Sequence, residues 1–172
     1  MRTIAAGVGV ALVAVSAVVW AQAPETAKAE LKDAAGKTVG QATLTESPHG
    51  VLVHVALSGA PAGAHAFHIH TTGKCDAPMF MTAGGHFNPA MKQHGINNPM
   101  GMHAGDLPNV EVPASGALTF DVFATDVTLK SGANSLMDAD GSAVMLHQGL
   151  DDYKGDPAGN AGARIACGVV TR

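Results

Sequence analysis

The chain has 172 residues, of which 10 are basic and 14 acidic, so its formal net charge is −4 with histidine neutral. It offers no cluster of Lys and Arg to neutralise phosphates, which argues against a nucleic-acid partner. A chain of this length can bury the core of one domain, and its composition does not demand a second.

The N-terminal segment is interpreted as a secretory signal peptide over residues 1–23. One basic residue, Arg2, precedes an apolar run over residues 4–19 and then small residues, the usual order in such a signal. The sequence Ala-Gln-Ala at residues 21–23 fits the cleavage rule, but Pro24 is a poor residue after a cut, so we expect cleavage near residues 21–23. A retained anchor is the less favoured alternative, because the apolar run is shorter than the roughly twenty residues of a membrane span.

The mature domain, residues 24–172, consists of short alternating stretches separated by glycine, which predicts an antiparallel all-β fold. In GVLVHVALSG, the side chains of Val51, Val53 and Val55 share one face, and ALTFDVF alternates in the same way. About eight strands are predicted, enough for a sandwich or barrel. They cover residues 27–32, 38–45, 51–57, 65–70, 110–112, 117–123, 142–147 and 163–170.

Two long segments, residues 71–107 and 148–162, lack the strand pattern and are rich in Gly, Pro, Asn and Asp. Loops of that length in a compact domain usually carry function. The first contains Cys75, and the last predicted strand contains Cys167. In an exported chain these two cysteines most simply form a disulfide, with two buried free thiols as the alternative.

Histidine is concentrated in one region, where residues 65–110 hold six of the nine in the chain. His68 and His70 are two apart on a predicted strand, so both rings project from one face and can meet one ion. Further candidate ligands follow at His86, His94, His103, Asp106 and His147. Three imidazoles with a carboxylate suit zinc, and several imidazoles with an open position suit copper.

Other residues of these types have simpler interpretations. His49 in a turn and His54 on an outward strand face are expected to be solvent-exposed. The methionines could bind Cu(I) through thioethers in a copper carrier, or merely fill loop and core space, which we favour. If they do bind copper, an accessory role in copper loading is favoured over a carrier, and the candidates are Met79, Met81, Met100 and Met102.

Several motifs resemble those of the copper/zinc superoxide dismutases, especially the bacterial periplasmic members. They are HAFHIH, GGHFNP, HAGDLPNV, DADGSAVMLHQG, DDY and GNAGARIACGVV, and the resemblance covers about residues 28–170. It implies an eight-stranded antiparallel Greek-key β-barrel or sandwich whose two long loops hold the metals. The copper ligands that it implies are His68, His70, His86 and His147. The implied zinc ligands are His86, His94, His103 and Asp106, so His86 would bridge one copper ion and one zinc ion.

The resemblance also implies an activity, the disproportionation of superoxide to oxygen and hydrogen peroxide by copper that cycles between Cu(II) and Cu(I), with zinc as its structural partner. Arg164 matches the family arginine beside the open copper face, and with His86 it is a predicted catalytic residue. Arg164 and Lys154 are the candidates to attract the anion to a net-negative protein.

The remaining matches concern the support of this site. Asp151 corresponds to an aspartate that hydrogen-bonds one copper and one zinc ligand, His68 and His94 in this chain. Cys75 and Cys167 match the family disulfide, His65 matches a structural histidine, and Ala66 departs from the usual glycine without removing a ligand. We expect a periplasmic protein with no stable membrane anchor. Relatives include monomers and homodimers, and the sequence does not choose between them.

Overall fold

The structure, a computed structural model, describes residues 23–172. The predicted signal peptide over residues 1–23 lies outside the described residues except for its last one. In the described part of the chain, no helix is long and apolar enough to cross a membrane.

Residues 23–172 form nine β-strands and a single-turn 3-10 helix, η1. In chain order these are β1 (Thr26–Asp33), β2 (Thr38–Ser47), β3 (Gly50–Ser58), β4 (Gly63–His65), β5 (Phe67–His70), η1 (Met81–Ala83), β6 (Val110–Val112), β7 (Ala117–Ala124), β8 (Ala143–His147) and β9 (Arg164–Val169). Every pairing between these strands is antiparallel, which confirms the predicted fold class.

Seven strands form one sheet in the order β5-β8-β9-β1-β2-β3-β7, and β4 pairs separately with β6. Because β4 leads into the edge strand β5 and β6 leads into the opposite edge strand β7, their pairing draws the two edges together and curls the sheet into a barrel. The rings of Phe67 on β5 and Phe120 on β7 meet edge-to-face across this junction, with centroids 5.5 Å apart. Inside the barrel lies the main hydrophobic core.

The predicted alternation is seen in the burial of the strands. Val51, Val53 and Val55 on β3 are fully buried, and the residues between them are exposed. On β7 the inward residues Phe120 and Val122 are only half-buried, because β7 is the last strand of the sheet.

The predicted strand at residues 65–70 divides in two. His65 pairs with Val110 of β6, whereas Phe67 pairs with Leu146 of β8. Between them, the N–H of Ala66 donates to the Gly149 carbonyl and the Ala66 carbonyl accepts from the N–H of His147. The strand therefore changes partner at Ala66, which accounts for nine strands where eight were expected.

Both predicted long loops are present, as residues 71–109 and 148–163. A third connection, residues 125–142, was not anticipated, and it carries the chain from β7 across to β8 on the far side of the sheet, the long return typical of a Greek key. The buried Glu46 carboxylate ties this connection down by accepting from the Leu129 N–H at 2.7 Å and from the Thr128 hydroxyl at 2.9 Å.

Candidate metal centre

Three of the histidines reach the site from adjacent strands. On β5, Phe67 and Ile69 point into the barrel core, so the alternating His68 and His70 point outward beneath the long loop. β5 pairs with β8, which ends at His147. The outward face of β5 and the end of β8 thus place three imidazoles side by side.

The first long loop is held against β5 by backbone hydrogen bonds. Ile69 donates to the Gly105 carbonyl at 3.0 Å and accepts from the Phe87 N–H at 2.8 Å, and Gly105 donates to the Phe87 carbonyl at 2.9 Å. A side-chain carbon at Gly105 would collide with the Ile69 carbonyl, so this close approach requires glycine. The contact brings His86, beside Phe87, and Asp106, beside Gly105, up to the strand histidines.

The seven candidate ligands form two overlapping groups, each with its potential ligand atoms within 4.8 Å of one another. One group contains His68, His70, His86 and His147, and the other contains His86, His94, His103 and Asp106. All seven side chains are buried. The structure therefore brings together every residue that the sequence predicted as a metal ligand, with His86 common to both groups.

In the group with the carboxylate, three imidazoles converge on one oxygen atom, Asp106 Oδ1. It lies 2.8 Å from His86 Nδ1, 3.0 Å from His94 Nδ1 and 3.2 Å from His103 Nδ1. Neighbouring ligand atoms of a tetrahedral zinc ion lie about 3.3 Å apart, given zinc–ligand bonds of about 2.0–2.1 Å. Three nitrogens at nearly this distance from one carboxylate oxygen fit zinc.

In the all-histidine group, His70 Nε2 lies 3.3 Å from His147 Nε2. The facing atoms His68 Nδ1 and His86 Nε2 are buried and have no hydrogen-bond partner within residues 23–172, and the same is true of His103 Nδ1 in the other group. Buried polar atoms in proteins are rarely left without a partner. Orphaned imidazole nitrogens on both sides of His86 fit a metal ion on each side of that ring.

Three imidazoles of the all-histidine group have protonation states that suit metal binding. Burial, together with the neighbouring His86, lowers the pKa of His70 to about 2, and burial with the neighbouring His68 and His86 lowers the pKa of His147 to about 3. Burial likewise lowers the pKa of His86 to about 4. These rings are neutral at neutral pH and have a lone pair free for a metal.

The ligand group that contains Asp106 stabilises positive charge. Although burial opposes ionisation, the neighbouring rings of His103, His86 and His94 hold the pKa of Asp106 well below its usual range. Burial also opposes protonation of His94, yet Asp106 and Asp151 on either side raise its pKa to about 9. A cavity that stabilises a proton between carboxylates in this way can stabilise a metal cation instead.

Asp151 hydrogen-bonds one histidine of each ligand group and so connects the two groups. Its Oδ2 accepts from His68 Nε2 at 2.8 Å and its Oδ1 accepts from His94 Nε2 at 2.9 Å. These bonds turn Nδ1 of each ring toward the candidate ligand group to which that histidine belongs, the orienting role expected of an outer partner. Asp151 is buried, and the two histidines hold its pKa well below the usual range although burial opposes this.

A cavity of about 460 Å³ opens onto the all-histidine group, and its lining includes His70, His86, His147 and Arg164. The Arg164 guanidinium donates to the carbonyls of Phe80 and Gly84, both at 2.6 Å. Among the lining residues it is the one basic side chain, and the exposed Lys154 is not part of the lining.

The predicted disulfide is confirmed. Cys75 and Cys167 are bonded, with Cα atoms 5.7 Å apart, and they join the first long loop to β9, the strand that begins at Arg164. The bond packs beside Phe80 in a small second core. It thus anchors the segment whose carbonyls hold Arg164.

The other histidines lie outside the two groups. The buried His65 contacts the carbonyls of His147 and Pro61 through its ring nitrogens at 2.8 and 3.0 Å, a structural role. His49 is exposed, and His54 pairs with Asp121 on the outer surface of the sheet. Ala66 is fully buried and retains its backbone pairing, so the departure from glycine is accommodated.

Sequence reasoning missed two supporting groups. Asn109 hydrogen-bonds the backbone of Asp151, and the Gly84 carbonyl accepts from both His70 Nδ1 and Arg164. A backbone carbonyl leaves no trace in a sequence. Asn109 follows Asp106 closely in HAGDLPNV, but only the fold shows that it faces Asp151.

Comparison with known proteins agrees with this fold and site. The copper/zinc superoxide dismutase (SODC) family model matches residues 38–170. The chain is 50% identical over 144 residues to Cu-Zn superoxide dismutase 1 of Aquifex aeolicus, covering 83% of this chain and 85% of that protein. It is 45% identical over 148 residues to the Cu-Zn superoxide dismutase of Caulobacter vibrioides, covering 84% of this chain and 85% of that protein.

Among solved structures, the chain is similar to a double mutant of a superoxide dismutase-like protein from Bacillus subtilis, in which a tyrosine and a proline are replaced by histidine. The TM-score is 0.81 at 45% sequence identity, covering 84% of this chain and 97% of that one. The chain belongs to the copper/zinc superoxide dismutase family. Its cofactors are copper and zinc, and it is an oxidoreductase that acts on superoxide.

Proposed function

We propose that His68, His70, His86 and His147 hold copper, that His86, His94, His103 and Asp106 hold zinc, and that this centre disproportionates superoxide. The observation that carries the assignment is the His86 ring. Its Nδ1 faces the carboxylate group, while its buried Nε2 faces the all-histidine group and has no hydrogen-bond partner in the part of the chain that the structure describes. One relative is described only as superoxide dismutase-like. The complete set of candidate ligands in this chain therefore supports the proposed activity more strongly than family membership does.

In the overall reaction, two superoxide anions and two protons give one oxygen and one hydrogen peroxide. When bound, copper supplies the one-electron exchange, and zinc supplies positive charge on the other side of the shared ring. The protein supplies the positions of these ions through seven buried side chains and their outer partner Asp151.

The chain's own residues also handle the anion and a proton. Arg164 places a fixed positive charge in the cavity that leads to His86, and two carbonyls hold its guanidinium in place. A local positive field of this kind can draw in an anion although the protein as a whole is negative. His86 lines the same cavity, so its ring is placed to hold a proton and deliver it to the peroxide product.

Metal analysis combined with a dismutation assay tests this function. The purified protein should contain one copper and one zinc per chain, and selective removal of copper should abolish activity that re-addition restores. The variant His86→Ala should lose activity, while His54→Ala, which removes an exposed histidine, should not. Full activity in copper-free protein would contradict the proposal.

We further propose that residues 1–23 direct export to the periplasm and are removed near residues 21–23. The Cys75–Cys167 disulfide supports an oxidising compartment. Mass spectrometry of protein recovered from the periplasmic fraction should give a chain that begins between residues 22 and 24. Recovery of the full-length chain from the cytoplasm alone would contradict this.

A further inference from the structure

The methionines that could bind copper are not equivalent in the structure. Met79 and Met81 both line the cavity that leads to the all-histidine group, whereas Met100 and Met102 do not. Met79 and Met81 are also 66% and 63% exposed, so they do not fill a core. We call these two residues the methionine rim.

The fold holds the methionine rim in place. Between the two methionines, Phe80 is buried in the small core that also contains Cys167 and Met145, whereas the side chains of the two methionines are exposed. The Phe80 N–H donates to the Asp76 carbonyl at 3.0 Å, and the Phe80 carbonyl accepts from Arg164 at 2.6 Å. The nearby Cys75–Cys167 disulfide fixes the same segment to β9.

The cavity has conflicting electrostatic requirements. Arg164 attracts an anionic substrate, but the same charge repels a copper ion that must reach the buried imidazoles through this opening. Thioethers are neutral and soft, and they select Cu(I) without depending on negative charge. Two of them at the mouth would hold Cu(I) without weakening the attraction for superoxide.

We propose that the methionine rim is a Cu(I) loading site, where Met79 and Met81 bind the ion transiently before it passes to His70, His86 and His147. The inference rests on the proposed assignment of copper to the all-histidine group. It implies that the protein takes up copper most readily in the reduced form, Cu(I). It also separates Met79 and Met81 from the exposed methionines elsewhere on the surface.

The test measures copper uptake by the zinc-loaded, copper-free protein. Cu(I) is supplied anaerobically as its bicinchoninate complex, and transfer is followed by the loss of the absorbance of that complex. The variant Met79→Leu/Met81→Leu keeps the apolar bulk of the rim and removes the sulfur atoms. The matched control, Met91→Leu/Met100→Leu, changes two exposed methionines outside the cavity.

Loss of the rim sulfurs should slow Cu(I) transfer by about fivefold or more, because no soft ligand remains at the mouth. The control variant should load at the wild-type rate, and uptake of Cu(II) should be similar in all three proteins. Final copper content and the electron paramagnetic resonance spectrum after oxidation should not differ, since the imidazoles are intact.

A second measurement examines the rim directly. With both imidazole groups filled by zinc, one further Cu(I) should bind the wild-type protein with sulfur ligands visible by X-ray absorption, and none should bind so in the rim variant. Equal loading rates in rim variant and wild type, or equal slowing in the control, would overturn the loading site. Absence of copper from the imidazoles of every protein would instead overturn the proposed function.

Discussion

The side-chain amide of Asn109 pairs with both backbone polar groups of Asp151. Asn109 Nδ2 donates to the Asp151 carbonyl at 2.9 Å, and Asn109 Oδ1 accepts from the Asp151 N–H at 2.9 Å. Since the Asp151 carboxylate orients His68 and His94, Asn109 fixes the position of the residue that links the two metal groups. It is a positioning residue that belongs to neither candidate ligand group.

Asn109→Ala should therefore weaken metal binding without removing a ligand. Two hydrogen bonds are lost, each contributing about 0.5–1.5 kcal/mol, and Asp151 is freed to move. We expect several-fold weaker binding of both zinc and copper in chelator competition, because each candidate ligand group has one histidine oriented by Asp151.

Asn134→Ala is the matched control for this prediction. Asn134 also donates to a backbone carbonyl, that of Asp126 at 2.8 Å, but it lies in the connection between β7 and β8. Its loss should leave both metal affinities unchanged. Equal affinities in Asn109→Ala and wild type would show that Asp151 is held by other contacts.

Arg164→Ala should slow turnover and weaken its salt dependence while both metals stay bound. Removing the cavity's basic side chain abolishes local attraction for the anion, and we expect a rate loss of about tenfold or more at low salt. Turnover measured against ionic strength checks this. Lys154→Ala should change little, because Lys154 does not line the cavity. Unchanged low-salt turnover in Arg164→Ala would contradict the role.

Replacing both cysteines in Cys75→Ser/Cys167→Ser should lower the free energy of unfolding by about 2–5 kcal/mol, because the bond closes a long loop in the unfolded chain. Denaturant unfolding measures this difference. A reductant should destabilise the wild-type protein to the level of the variant and leave the variant unaffected. If the wild type is insensitive to reduction, the bond contributes little to stability.

The metal-free protein should lose stability as pH falls from about 6.5 to about 4. Burial lowers the pKa of His70, His86 and His147 to about 2, 4 and 3, so the folded protein leaves these rings neutral in this range. Histidines in the unfolded chain take up protons near pH 6.5. The unfolded state therefore binds more protons, and acidification favours it.

His94 acts in the opposite direction at higher pH. Its pKa is raised to about 9 by Asp106 and Asp151, although burial opposes this. Its contribution to stability is complete below about pH 6.5 and is lost as pH rises toward 9. Urea unfolding of the metal-free protein should thus give maximal stability near pH 6.5. The control variant His54→Ala should have the same dependence of stability on pH. A free energy of unfolding that rises as the pH falls from 6 to 4.5 would be incompatible with neutral buried rings.

Local patterns in the sequence predicted most of the fold. The period of two in GVLVHVALSG identifies the buried face of β3, because successive side chains on a strand point to opposite sides. The same local signal could not show the change of partner at Ala66, since residues 65–70 read as one strand and the partners of its halves lie far along the chain.

For the metal centre, the sequence determined the chemistry and the tertiary structure decided the arrangement. Residue types and the family resemblance were enough to propose the seven ligands, because imidazole and carboxylate define which metals can bind. The docking of the long loops on β5 and β9 decides that His86 faces both groups and that Asn109 holds Asp151. It also decides that, among the methionines within residues 23–172, only Met79 and Met81 line the cavity. Backbone hydrogen bonds between distant segments and a disulfide set those positions, and contacts of that range leave no periodic pattern in the chain.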